Sequence, residues 1–195
     1  PRALIFQQLS TAGLPFHFDT WEEYESYVGD LVATGVIEEI SENRWDIRPV
    51  PRFGTVEMRV CDGPSTLREV GALAALTQCL VESFSRALDR GEPIPVMPPW
   101  HHQENKWRAA RYGLDAIVVK DAQNHERLVT EDLTELLEKL EPLARELDCA
   151  DELAHVETMM NGATGYQRQR RVAQENGGDL RAVVMDIVER NRTTR

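Results

Sequence analysis

Pro49 and Pro51 stand just before an alternating run at residues 55–61, and together they restrict this part of the chain to extended or turning backbone. Neither proline can donate to a ladder, so residues 48–52 are predicted as extended connector, with Phe53-Gly54 leading into a strand. In that strand Val56, Met58 and Val60 alternate with Thr55, Glu57, Arg59 and Cys61. A period of two sends Glu57 and Arg59 out from one face. A carboxylate and a guanidinium side by side on a rigid strand can hold a metal ion and a phosphoryl group together. That pairing suits chemistry on ATP. Its plain structural use is a cross-strand ion pair.

The flanking sequence sets the fold class. Thr20-Trp-Glu-Glu23 fits a capping box, and Trp21, Tyr24, Val28, Leu31 and Val32 follow at helical spacing up to Gly35. Residues 36–40 and 44–48 read as strands joined by a polar turn. Thr66 with Glu69 caps a long helix whose apolar stripe runs from Leu67 to Leu88 and is expected to pack on a sheet. Residues 91–99 are rich in proline and read as loop, with His101 and His102 as loop residues beyond them. A shorter helix is predicted over 104–112 with Trp107 in the core, and a hairpin over 116–120 and 126–129. The last third reads as helices, one of them kinked or split at Pro142 and the final one starting at Gly177-Gly178-Asp179. The class is α+β, an antiparallel sheet packed with helices.

Charge narrows the partners. The formal charge is −11, which opposes nucleic acid and anionic membranes. Any anion site must therefore be locally basic. Residues 3–43 hold eight acids and no lysine or arginine, whereas residues 44–59 hold four arginines against Asp46 and Glu57. No apolar run approaches a membrane helix, and no secretory signal is visible. Three widely spaced cysteines (Cys61, Cys79, Cys149) without a C-x-x-C fit a reducing cytoplasm, with Cys61 read as a small buried thiol. The chain opens on Pro1, so it reads as a fragment or a processed product.

Two long motifs, R-P-V-P-R-F-G-T-V-E-M-R-V-C-D at 48–62 and E-N-K-W-R-A-A-R-Y-G-L-D at 104–115, resemble glutamate–cysteine ligase family 2, the bacterial carboxylate–amine ligases. N-G-A-T-G-Y-Q-R-Q-R-R at 161–171 and G-D-L-R-A-V-V at 178–184 are similar to that family too. One departure is Val50, where the family has histidine between the prolines. Family members are also longer, with upstream strands that carry further metal-binding glutamates. The resemblance therefore implies that residues 1–195 are the C-terminal portion of a single catalytic domain, inactive without the upstream region. It implies a glutamine-synthetase-like fold whose sheet holds ATP and Mg2+. The implied reaction joins the glutamate γ-carboxylate to the cysteine amine through an acyl phosphate. An inactive binding or assembly module of the same fold, or a ligase for another acid and amine, are the alternatives. A homo-oligomer is compatible with all three.

Read residue by residue, Glu57 is the candidate metal ligand. Arg59 and Arg52 are the candidate catalytic groups, stabilising the transferred phosphoryl or a substrate carboxylate. Arg48 either touches substrate or braces the connector through carbonyls. Asn105, Lys106 and Arg108 open a helix and supply donors for a nucleotide, unless they are an ordinary solvated face. The glycines 162 and 165 read as a helix–turn–helix joint, with Arg168 as a further substrate or nucleotide contact.

Overall fold

The computed structural model describes residues 5–193, which divide into two compact units. One comprises the residues through Asp62 with Pro99–Arg111, the other Gly63–Pro98 with the residues from Tyr112 onward. The elements are mixed helix and strand, and the described strands form three separate two-stranded pairs.

In the first unit α1 (Trp21–Ala33) starts where the sequence predicts. The Thr20 hydroxyl accepts from the Glu23 N–H at 3.2 Å, and Glu23 reaches back to the Asp19 N–H at 2.9 Å. Residues 36–40 are not a strand. Ile37 is buried, and Ile40–Glu42 close a short 3-10 turn. Side chains hold this stretch locally, Ser41 donating to the Glu39 carboxylate at 2.5 Å. β1 (Ala12–Gly13) pairs in parallel with β2 (Arg44–Trp45). β3 (Ile47–Val50) pairs antiparallel with β4 (Thr55–Met58), Arg48 opposite Glu57 and Pro49 opposite Val56.

This hairpin replaces the extended connector expected at 48–52. Pro49 is tolerated because β3 has a single ladder partner, so a missing N–H leaves no bond wanting on its open side. Pro51–Phe53 form a 3-10 turn, and Gly54 at φ 61° supplies the left-handed residue that brings Val50 back to Thr55. β4 is also shorter than the predicted 55–61. The Arg59 and Val60 amides both turn onto the Asp46 carbonyl, at 2.7 and 3.0 Å, and end the ladder. Aromatic rings fill the space beside the hairpin. Tyr27 stacks on Trp45 with centroids 5.1 Å apart, and Phe18 and Tyr24 meet edge to face at 5.9 Å.

The other α-helix described in this region, α3 (Pro99–Tyr112), starts five residues earlier than predicted and takes His101 and His102 out of the loop. Pro99 in its first turn needs no N–H partner there. Trp107 is exposed on it, not packed in the core.

In the second unit α2 (Leu67–Asp89) carries the predicted capping box at Thr66 and Glu69. The sequence expectation was a sheet beneath it. Its partners in this unit are helices, α4 (Val129–Glu146) and α5 (Ala150–Thr158), around Ala75, Cys79, Leu140, Ala144, Cys149 and Leu153. Small side chains at 75, 79 and 144 let the backbones approach. Pro142 does not split α4, because Leu140 and Ala144 on either side are both buried in this core. β5 (Ile117–Val119) and β6 (Glu126–Leu128) form the expected hairpin. After α5 the chain passes through a wide turn, Met159–Ala163, into α6 (Gly165–Glu175). Gly162 sits there at φ 90°, which makes this segment a helix–turn–helix joint. α7 (Leu180–Thr193) begins after Asp179, whose carboxylate accepts from the Arg181 N–H at 2.8 Å.

Candidate active site

The β3–β4 hairpin brings three of the predicted residues into contact. Arg48 and Glu57 are register partners, and the Arg48 Nε lies 2.8 Å from Glu57 Oε2, as does Nη2. Arg59 approaches the other oxygen, its Nη1 3.5 Å from Glu57 Oε1. Glu57 and Arg59 thus lie side by side, and neither is sealed: their side chains are 40% and 26% exposed.

Arg48 has a second task. Its Nη1 donates to the carbonyls of Ser41 and Asn43, both at 2.6 Å. Of the two uses read from the sequence, bracing by carbonyl bonds is the one its geometry displays. Arg52 lies on the exposed turn, its guanidinium 5.3 Å from the Phe53 ring centroid.

Asp46 joins α3 to this cluster. Its carboxylate pairs with the buried ammonium of Lys106, and its carbonyl takes the Arg59 and Val60 amides. Its own N–H donates to the Gly13 carbonyl at 2.7 Å. Sequence reading counted Asp46 only as an acid among arginines. The missed signal is its position as the single residue between Arg44-Trp45 and the next strand. Arg108 pairs with Glu104 one turn back at 2.8 Å, and Asn105 is half-buried on the same helix. Cys61 is exposed, contrary to the buried thiol expected, because the strand ends before it.

Arg168 lies in the second unit. It is 4% exposed, donates to Ser65 Oγ at 2.8 Å, and pairs with Asp186 at 3.2 Å and Glu69 at 3.6 Å. Glu69 in turn accepts the Ser65 and Thr66 amides at 2.7 and 3.1 Å and meets Arg190 at 3.4 Å. These bonds tie the start of α2 to α6 and α7.

A Mg2+ ion takes hard oxygens and in nucleotide sites uses one or two carboxylates plus phosphates and water. Glu57 Oε1 is such an oxygen, with Arg59 Nη1 at 3.5 Å. Among the described residues no three His, Cys, Asp or Glu side chains gather as a metal site. The hairpin therefore fits such an ion as one ligand of a larger set. No helix of the described residues is long and apolar enough to cross a membrane.

With this geometry in hand, the comparisons with known proteins are specific. The glutamate–cysteine ligase family 2 profile matches residues 1–186, and the chain belongs to that family. It is 67% identical over 191 residues to "Putative glutamate–cysteine ligase 2-1" of Arthrobacter sp. (strain FB24), covering 98% of this chain and 50% of that protein. Against "Putative glutamate–cysteine ligase 2-2" of Paenarthrobacter aurescens (strain TC1) the identity is 63%, with 98% and 50% covered. Against "Putative glutamate–cysteine ligase 2" of Mycobacterium ulcerans (strain Agy99) it is 62%, with 96% and 48% covered. The chain spans about half the length of these relatives.

Proposed function

We propose that this chain is the C-terminal portion of an ATP- and Mg2+-dependent carboxylate–amine ligase that joins the glutamate γ-carboxylate to the cysteine amine. The observation that carries the reading is the open Glu57–Arg59 pair, 3.5 Å apart at the end of β4. Family membership and the relatives' names support it. In this reading β3 and β4 belong to a glutamine-synthetase-like sheet completed by an upstream region of the same enzyme. The compartment is the cytoplasm, in keeping with three free cysteines.

A carboxylate is a poor acyl donor. A γ-carboxylate oxygen attacks the terminal phosphorus of ATP, ADP departs, and the acyl phosphate forms. The amine then attacks the acyl carbon and inorganic phosphate leaves. Both steps depend on positioning and on neutralising oxygen charge. Arg59 spreads the phosphoryl charge, and Arg52, on the exposed turn, meets a substrate carboxylate. Glu57 would hold Mg2+, which would supply charge neutralisation at the phosphates. Arg48 fixes Glu57 by occupying its other oxygen. Lys106 reaches the cluster through Asp46, and Asn105 and Arg108 supply nucleotide contacts from α3. Arg168 orders its own unit.

The test is made on the full-length protein. Titration calorimetry with Mg-ATP should give a saturable isotherm, and phosphate release should require both glutamate and an amine. Glu57→Gln should cut turnover by about 100-fold or more. Turnover unchanged in that variant overturns the reading. Val50, at the position of the family's histidine, favours a second one, a different acid and amine on the same machinery. A panel of amines in the same assay separates the two.

A further inference from the structure

The face of the β3–β4 hairpin opposite Glu57 borders a second feature. Ile47, Pro49 and Val56 alternate with the ion-paired residues and form one wall of a groove of about 480 Å³. The size lies within the range of small-molecule sites. The other walls are rings: Phe16, Phe18, Trp21, Tyr24 and Trp45. Phe16 and Trp21 remain 63% and 48% exposed across its mouth, although the rings behind them pack closely. Large aromatic side chains left open beside a cavity mark a surface that takes a partner.

Charge selects that partner. Among the described residues the one carboxylate on the lining is Asp19, 83% exposed, with His17 Nε2 at 3.2 Å. Arg48 also borders the groove, but its guanidinium is already held by Glu57 and by the Ser41 and Asn43 carbonyls. The loop and the start of α1 on one side of the groove, residues 15–24, belong to the segment 3–43, which has eight acids and no lysine or arginine. An anion meets repulsion here. A cation meets both a carboxylate and ring faces, which attract positive charge through their quadrupoles.

We propose that this groove binds an aryl-alkyl ammonium ligand, its ring against the Trp21, Tyr24 and Trp45 walls and its ammonium at Asp19. The site lies on the other side of the hairpin from Glu57 and Arg59 and needs neither ATP nor Mg2+. Its test is therefore separate from that of the proposed reaction.

Three probes share one ring and one tether length: phenethylammonium, 2-phenylethanol and phenylacetate. Each is titrated into the whole chain while the indole N–H resonances of Trp21 and Trp45 are followed. Saturable shifts are expected, with phenethylammonium bound about two- to five-fold more tightly than the alcohol, the scale of an exposed ion pair, and phenylacetate weakest. Asp19→Asn should erase the advantage of the cation and leave the alcohol unchanged. Trp21→Ala, at a half-exposed position, should weaken all three while far-UV circular dichroism stays the same. No saturable shift with any probe overturns the proposal. So does phenethylammonium no tighter than the alcohol or phenylacetate, or an unaltered order in Asp19→Asn.

Discussion

Arg48 and Glu57 face each other across the β3–β4 ladder, and the arginine places two nitrogens 2.8 Å from a single oxygen, Oε2. The second oxygen is left to Arg59 at 3.5 Å. A cross-strand ion pair and a ligand-holding carboxylate are therefore not rival uses of Glu57. One arginine orients the carboxylate, and the free side of the same group remains directed at Arg59. The Arg48 side chain is only 12% exposed, so this orientation is held inside the fold and not by solvent-screened charge.

That arrangement predicts a stability effect for Arg48 with no substitution for its fork. Arg48→Gln removes the pair with Glu57 and the bonds to the Ser41 and Asn43 carbonyls. The expected loss is about 2–3 kcal/mol, the scale for breaking a partly buried charged hydrogen-bond set. Arg48→Lys should recover little, because one ammonium cannot span the three acceptors. Urea unfolding midpoints of the two variants check this. A midpoint equal to the parent's in Arg48→Lys would show that point charge, not the fork, holds the hairpin.

Tyr24 carries the opposite expectation. It is 5% exposed, and its hydroxyl is buried without a hydrogen-bond partner. Burial raises the phenol above its ordinary value, against a smaller lowering by Arg48. Tyr24→Phe keeps the ring contacts with Phe18, Trp21 and Trp45 and deletes the unsatisfied group. It should stabilise the protein by about 1 kcal/mol. Thermal melts of parent and variant decide it, and a lower melting temperature for the variant is the contrary result.

Legibility followed how local each signal was. The capping boxes at Thr20 and Thr66 and the 116–129 hairpin rest on neighbours in sequence, and they could be read directly. Glu57 beside Arg59 also follows from alternation alone, even though the strand stops at Met58. The rest needed long-range partners. Arg48 finds its employment nine residues away on the next strand and in a turn before it. Asp46 gains meaning only through Lys106, sixty residues on. Cys61 was placed by extending a pattern past the point where the Asp46 carbonyl captures two amides and ends it. The start of α3 was hidden because Pro98-Pro99 reads equally as loop and as a helix first turn.

The cysteines should react unequally. Cys79 and Cys149 lie buried with their sulfurs 3.8 Å apart, and burial, reinforced by the neighbouring thiol, pushes Cys79 up to about 11. Cys61 is exposed. Iodoacetamide at pH 8 should label Cys61 in the folded chain and reach the other two only in denaturant, as peptide mass mapping would show. The linkage sign is that of an acid with a raised pKa. Cys79 favours the fold while both states keep the proton, and that contribution is lost as pH rises from the ordinary value of 9 towards 11. Rapid labelling of Cys79 under native conditions would contradict its burial.

The acid limb should report Glu135. Its carboxylate lies 2.5 Å from Lys139 Nζ, pairs with Arg127, and has Lys120 at 3.8 Å. These cations lower it from the ordinary 4.5 to about 2, the hydrogen bond from Lys139 first and that from Arg127 next. A depressed carboxylate stabilises the fold above its unfolded value and loses that contribution as pH falls. Stability at pH 7 therefore includes the full effect, which disappears progressively between about 4.5 and 2. Glu135→Gln should unfold more readily than the parent at pH 7, and the gap should close as both are taken to pH 2. Because the carboxylate is partly exposed, 0.5 M salt should also narrow the gap at pH 7. Urea midpoints across pH 2–7 measure it, and parallel curves for parent and variant would assign the acid sensitivity to other carboxylates.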